Sequence, residues 1–203
     1  MADRDPLPFD PIAEARRQWR VHGWGDAAPA MAVVTSIIRV QQILLARADA
    51  ALRPFELTFA RYEVLMLLSF SSRGALPLGK IGERLQVNPA SVTNAIDRLE
   101  EQGLVERLPN PDDGRGTLAR LTDDGRDRAV AATEALNRRV FADLGVDRAR
   151  LEALFRLLRD LRQAAGDFSD AVKDAGAVGA AGGLSGAVGA ADFVRDAGGA
   201  QGR

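Results

Sequence analysis

The apolar positions of this chain follow helical spacing almost throughout, broken once by a short alternating stretch, and that order predicts an architecture. After Asp10 and Pro11, Ile12, Ala15 and Trp19 recur at helical spacing and predict a short helix over 11–21. From Ala28 to Arg53, Val33, Ile37, Val40, Leu44 and Ala48 form one stripe of a long helix, widened by Val34, Ile38 and Leu45. A helix this apolar is expected to be buried on more than one side. Thr58 is placed to cap a helix that buries Tyr62, Leu65 and Met66, with Ser69 at its margin, before SSRGALP breaks it.

LGKIGERL then reads as a two-turn helix with Leu78, Ile81 and Leu85 inward, and Gly82 leaves room for a second helix to approach. That second helix follows the turn QVN: Asn88 is a candidate cap, Pro89 suits the first helical position, Val92, Ile96 and Leu99 share one face, and Gly103 ends it. LVERL and TLARL alternate around PNPDDGRG and predict a two-stranded hairpin. Thr122 and Asp123 open a helix to about Leu144, and Asp147 opens another to about Ala165, with Leu151, Leu154, Leu158 and Leu161 in line. The expected fold class is mainly α: a winged helix-turn-helix with a two-stranded β-wing, flanked by N- and C-terminal dimerisation helices. The expected segments are an arm over 1–27, a dimerisation helix over 28–57, a DNA-binding domain over 58–126, dimerisation helices over 127–166 and a flexible tail over 167–203.

Composition narrows the chemistry. The 203 residues include no cysteine and a single histidine, His22, which excludes thiol nucleophiles, disulfide frameworks and multi-histidine metal sites. Residues 167–203 hold ten alanines and nine glycines and repeat GAVGAA at 176–181 and 186–191, too few large apolar groups to offset chain entropy. The start, MADRDPLPFDP, lacks the basic opening and apolar run of a secretory signal, and the Gly/Ala stretch is too short and too weakly apolar to span a bilayer, so a cytoplasmic protein without membrane contact is expected. Net charge is −1, with 25 arginines against Lys80 and Lys173, so any polyanion must be met by local patches.

Helix-turn-helix followed at once by a hairpin places the second helix in a DNA major groove and the wing beside the neighbouring minor groove. With Val92, Ile96 and Leu99 committed to the core, Ala90, Ser91, Asn94, Asp97 and Arg98 are displayed. Asn94 can bond adenine, Arg98 guanine or a phosphate, and Ser91 either base edges or backbone, while Asn88 and Thr93 lie near the helix start where phosphates approach. Each has a structural use as well: Asn88 as a cap, Ser91 and Arg98 as solvated surface. Arg115, between Gly114 and Gly116, can enter a narrow minor groove, and Asp113 can hold Arg115 or Arg107 in place through an ion pair.

The stretch over about 30–165 resembles the multiple antibiotic resistance regulator (MarR) family of winged-helix transcriptional regulators. The resemblance is most specific at the wing, where Arg107, Asp113 and Arg115 in RLPNPDDGRGTLARLT match R-x5-D-x-R, followed by Leu121, Thr122 and Gly125 of L-T-x-x-G. LTFARYEVL and NPASVTNAIDRLEEQGLV support it. It implies an obligate homodimer built from the N- and C-terminal helices, a palindromic operator in double-stranded DNA, often autoregulation, and a small-molecule effector pocket between dimer helices and winged helix; a repressor with no cofactor is expected. Asn94 departs from it, standing where family members often carry a basic residue.

By that analogy His22, Trp24, Arg39, Phe55, Phe59 and Tyr62 surround the pocket, and their aromatic rings and arginine suit an aromatic or acyl anion; Phe55, Phe59 and Tyr62 serve equally as core. The charge balance argues for restraint. Residues 78–126 hold seven basic and nine acidic side chains, which keeps open a winged-helix interaction module without DNA binding. The carboxylate pairs Glu100–Glu101, Asp112–Asp113 and Asp123–Asp124 have local roles, and no nucleophile elbow, phosphate loop or metal-spaced cluster occurs, so no catalytic or metal-binding residue is expected.

Overall fold

The computed structural model describes residues 7–111 and 116–169. The chain divides at Val146–Asp147 into two units. In the first, α1 (Pro11–Val21) begins where the Asp10 carboxylate accepts the amides of Ile12 and Ala13, with Pro11 in the first turn. A 3₁₀ turn at Gly25–Ala27 leads into α2 (Ala28–Leu52), against which α1 packs.

Only the ends of α2 meet the expectation of burial. Ala28, Ala48, Ala51 and Leu52 are buried, whereas Val33, Val34, Ile37, Ile38, Val40 and Leu45 are exposed. By length and composition the helical segment Gly25–Phe55 could cross a membrane. Here its apolar middle simply outruns its neighbours within the unit.

The core lies under α3 (Phe59–Ser69), whose first turn is capped by Thr58. Tyr62 and Leu65 are buried as expected; Val64 and Leu68 join them, while Met66 and Ser69 are half-buried. The two helices of the helix-turn-helix are α4 (Leu78–Leu85) and α5 (Pro89–Glu101). A Cβ on Gly82 would stand 3.2 Å from the Val87 carbonyl oxygen and 3.3 Å from Val92 Cγ2, so the missing side chain is what lets α4 meet the turn and α5. Gln86, at φ 54°, makes the left-handed turn between them.

The sheet has one strand more than the predicted hairpin. β1 (Ala75–Pro77) pairs antiparallel with β3 (Thr117–Leu121), which pairs on its other side with β2 (Val105–Pro109), giving the order β1-β3-β2. Within three residues β1 shows no alternation that a sequence pattern could register.

α6 (Asp123–Leu136) starts where the Thr122 hydroxyl accepts the Gly125 amide at 3.0 Å. It does not continue as a regular helix to Leu144: Asn137–Phe141 widens into a π turn that carries Val140 into the core. The Arg47 guanidinium donates to the carbonyls of Arg139 and Asp143, which serves acceptors at this helix end.

In the second unit, α7 (Arg148–Ala164) is capped by Asp147 and carries no buried residue; Leu154, Phe155, Leu157 and Leu161 are exposed and Leu151 and Leu158 half-buried. At its end the guanidinium groups of Arg159 and Arg162 stand 4.9 and 5.4 Å from the Phe168 ring centre. Asp113, Arg115 and all of the Gly/Ala tail from residue 170 lie outside the described residues.

Candidate nucleic-acid interface

α5 is anchored at both ends before it presents anything. Asn88 Oδ1 accepts the Ser91 amide at 2.9 Å, so its oxygen is committed to the cap. At the other end Gln102 Nε2 donates to the Glu56 carbonyl at 3.1 Å, while Gln102 Oε1 is buried without a partner among the described residues. Between these points Val92, Ile96 and Leu99 are fully packed, which fixes the rotation of the helix about its axis.

The face left outward contains Ser91, Thr93, Asn94, Asp97 and Arg98, all exposed. Thr93 Oγ1 donates back to the Pro89 carbonyl at 3.0 Å and keeps its lone pairs outward. No hydrogen bond holds the Ser91 hydroxyl or the Asn94 amide among the described residues. Arg98, by contrast, is paired with Glu101 at 2.8 Å on the same helix face.

Arg107 does something the sequence did not reveal. From β2 it donates to Asp97 at 2.5 Å and, through its other nitrogen, to Glu100, while its own backbone amide donates to Glu100 at 3.1 Å. Desolvation works against the guanidinium charge, but the bonds to Asp97 and Glu100 outweigh it and raise its pKa further. The expected partner, Asp113, lies outside the described residues; among those described, Arg107 links β2 to α5. The signal was in the spacing: Asp97 and Glu100 are three apart, hence on one helix face, immediately before the strand carrying the cation. A second cross-strand pair, Arg120 with Glu106 at 2.5 Å, joins β3 to β2 at directly opposed positions. Four acids of this module, Asp97, Glu100, Glu101 and Glu106, are thus engaged with its own arginines.

Comparison with known proteins converges on this geometry. The MarR family profile matches residues 57–117, from the start of α3 to the wing. A HTH-type transcriptional regulator of Mycobacterium bovis, itself uncharacterized, is 32% identical over 108 residues, which span 53% of this chain and 71% of that protein. A MarR family transcriptional regulator from Streptomyces coelicolor, solved by crystallography, is 53% identical, with a TM-score of 0.65 over 70% of this chain and 99% of that one. The chain belongs to the MarR family. A MarR mutant from E. coli, solved in complex with operator DNA, is 25% identical and superposes with a TM-score of 0.61 over 66% of this chain and 96% of that one. The chain spans about half the length of the first curated relatives it matches, among them the multiple antibiotic resistance protein MarR of Salmonella typhimurium, 38% identical over 74 residues, or 36% of this chain and 50% of that protein.

In this MarR family chain, of the six candidate pocket residues Phe59 and Tyr62 lie together, ring centres 5.9 Å apart, and Phe55 packs against the same core, whereas His22, Trp24 and Arg39 are exposed. A cleft of about 490 Å³ opens between α2, α3 and the π turn, and of the six only Phe59 lines it. Tyr62 is core: it is buried, and its hydroxyl lies 3.0 Å from Thr133 Oγ1. Burial raises its pKa. Phe55 packs half-buried against the core. His22 and Trp24 stack on each other at 5.9 Å beyond α1, where Trp24 also meets Trp19 edge-on at 5.5 Å.

Arg39, on which the expectation of an anionic ligand rested, is exposed and does not line the cleft. Gln41, Leu44, Leu45 and Ala48 form the α2 wall, and a residue two positions before Gln41 points about 200° away around the helix. Among the described residues the one charged side chain in the lining is Glu63, a position the sequence did not single out.

Proposed function

We propose that this chain is a dimeric, sequence-specific DNA-binding regulator, acting as a cytoplasmic repressor at a palindromic operator and released by a small-molecule effector. The observation that carries the reading is the outward face of α5, where Ser91 and Asn94 stand unpaired among the described residues, on a helix whose rotation is fixed from behind and whose flank is tied to the wing through Arg107. Asn94 reads base edges in this proposal, Arg98 reads a base or a phosphate, and Asn88, Ser91 and Thr93 meet the backbone near the helix start. Arg115 enters the minor groove, with Asp113 orienting it. The operator complex of the E. coli relative supports the DNA reading.

The dimer is supported by the exposed apolar middle of α2 and, independently, by the exposed apolar side chains of α7. A symmetric protein contact removes such surface from water and matches a two-fold operator. The cleft lined by Phe59 is the proposed effector site.

The test is a gel shift with DNA from upstream of the chain's own coding sequence. A sequence-selective complex is expected. Absence of any complex at low salt favours the second reading, an interaction module, for which the acids Asp97, Glu100 and Glu101 along α5 are the specific observation.

A further inference from the structure

The cleft between α2, α3 and the π turn has a definite chemical character. Its volume of about 490 Å³ lies in the range of small-molecule sites, and Leu44, Phe59, Phe141 and Leu144 make its surface overwhelmingly apolar. Two side chains break that surface, the Gln41 amide and the Glu63 carboxylate, and among the described residues no basic side chain lines it. The Glu63 carboxylate makes no hydrogen bond or ion pair among the described residues. Glu63 keeps an exposed outer side, yet desolvation on the inner side pushes its pKa up. The nearby cation Arg47 is committed elsewhere, to the carbonyls of Arg139 and Asp143.

These features exclude ligands as well as select them. An anion entering here would meet an unpaired carboxylate and no counter-charge. A neutral apolar molecule would strip water from Glu63 and give nothing back. A molecule with an apolar body and one positive head would bury the body against the leucines and phenylalanines and end the isolation of the carboxylate in the same step. The Phe59 and Phe141 rings add faces that attract cations, and the helix end that supplies Phe141 is the negative end of its dipole.

We propose that this cleft takes an amphiphilic organic cation, an apolar and preferably aromatic body bearing one ammonium-type head, with Glu63 as its counter-ion and Gln41 as a secondary hydrogen-bonding partner. This rests on the reading of the cleft as the effector site, and it reverses the sign of ligand charge that Arg39 suggested.

The experiment uses two probes of one shape and opposite charge, phenylbutylammonium and phenylbutyrate, titrated calorimetrically into the full chain at neutral pH without DNA. The cation binds at least about tenfold more tightly, Glu63→Gln erases the preference, and Glu63→Lys reverses it, with folding of each variant checked by circular dichroism. Ala60→Trp, at an exposed α3 position in the lining, fills the cleft and abolishes binding of both. The proposal is overturned if the anion binds as tightly as the cation, if neither binds, if Glu63→Gln leaves the preference intact, or if Ala60→Trp binds at full affinity. A gel shift with the bound cation then separates the two claims: binding that depends on Glu63 but leaves the DNA complex intact sustains the cation site and removes effector control.

Discussion

Arg107 and Asp97 meet at 2.5 Å across the gap between the wing and α5, and Glu100 closes the same guanidinium from the next helical turn. One side chain therefore bridges the wing strand β2 and α5. Because the carboxylates are substantially exposed, the contact contributes little to stability. Arg107→Ala is expected to lower unfolding free energy by about 1 kcal/mol or less in urea titration. It should nevertheless weaken binding to operator and unrelated DNA alike by about tenfold, roughly 1.4 kcal/mol, in fluorescence anisotropy, since both elements lose their shared reference point. Arg107→Lys keeps the charge but not the two-pronged geometry, and should recover little.

Arg98 is not free to meet DNA as it stands, because Glu101 holds it at 2.8 Å. Glu101→Gln should therefore strengthen binding to any duplex and steepen its salt dependence by about one phosphate contact. Asn94→Ala should act differently, costing about 1–3 kcal/mol on the cognate site while leaving non-specific binding nearly unchanged. Equal losses on cognate and random duplexes would remove Asn94 from base reading.

Much of this was legible in the sequence because it is written in side-chain periodicity. Val92, Ile96 and Leu99 declare the buried face of α5, and Asn88, Thr58, Thr122 and Asp147 all cap the helices they were expected to cap. What escaped has physical causes. β1 owes its conformation to a partner more than forty residues away in β3 rather than to its own three residues. The π turn depends on how α6 meets α2. Glu63 was invisible because an exposed glutamate on a helix is ordinary; it becomes informative only once α2 and the π turn wall off one side of it.

Gly125 explains its place in the L-T-x-x-G pattern. A Cβ there would stand 2.0 Å from the Leu104 carbonyl oxygen and 2.9 Å from Leu121 Cδ1, so the first turn of α6 lies directly on the backbone leading into the wing. Gly125→Ala is expected to destabilise the protein by about 3 kcal/mol, read as a lowered urea midpoint, with the wing displaced in any variant that folds.

The proposed dimer predicts that a charge in the middle of α2 costs assembly and not folding, since Ile38 is 51% exposed in the single chain. Ile38→Glu should sediment as a monomer at micromolar concentration, where the parent is a dimer, with its helical circular dichroism retained. A dimeric variant would place the contact elsewhere.

The raised pKa of Glu63 fixes the sign of a stability effect. A carboxyl that holds its proton more tightly when folded favours the folded state at low pH, and that contribution is lost as pH rises from the ordinary carboxylate value, about 4.3, through the folded one. Glu63→Gln should therefore melt higher than the parent at neutral pH. Below the unfolded pKa the two curves should converge, and a variant less stable at neutral pH would mean that Glu63 has a stabilising partner.

The position of β1 gives the wing a mechanical connection. A hairpin attached only at its base bends freely, but here β1, the strand that follows α3 in the chain, is bonded to the middle strand of the sheet, and the Leu121 amide donates to the Gly74 carbonyl at 2.8 Å in the segment just before it. The wing is thus a lever with two bearings, one on α5 through Arg107 and one on the segment that follows α3. Glu63 and Phe59 sit on that same α3. A displacement of α3 by an occupant of the cleft would therefore reach the wing through its second bearing, the hydrogen-bonded segment around Gly74 and β1.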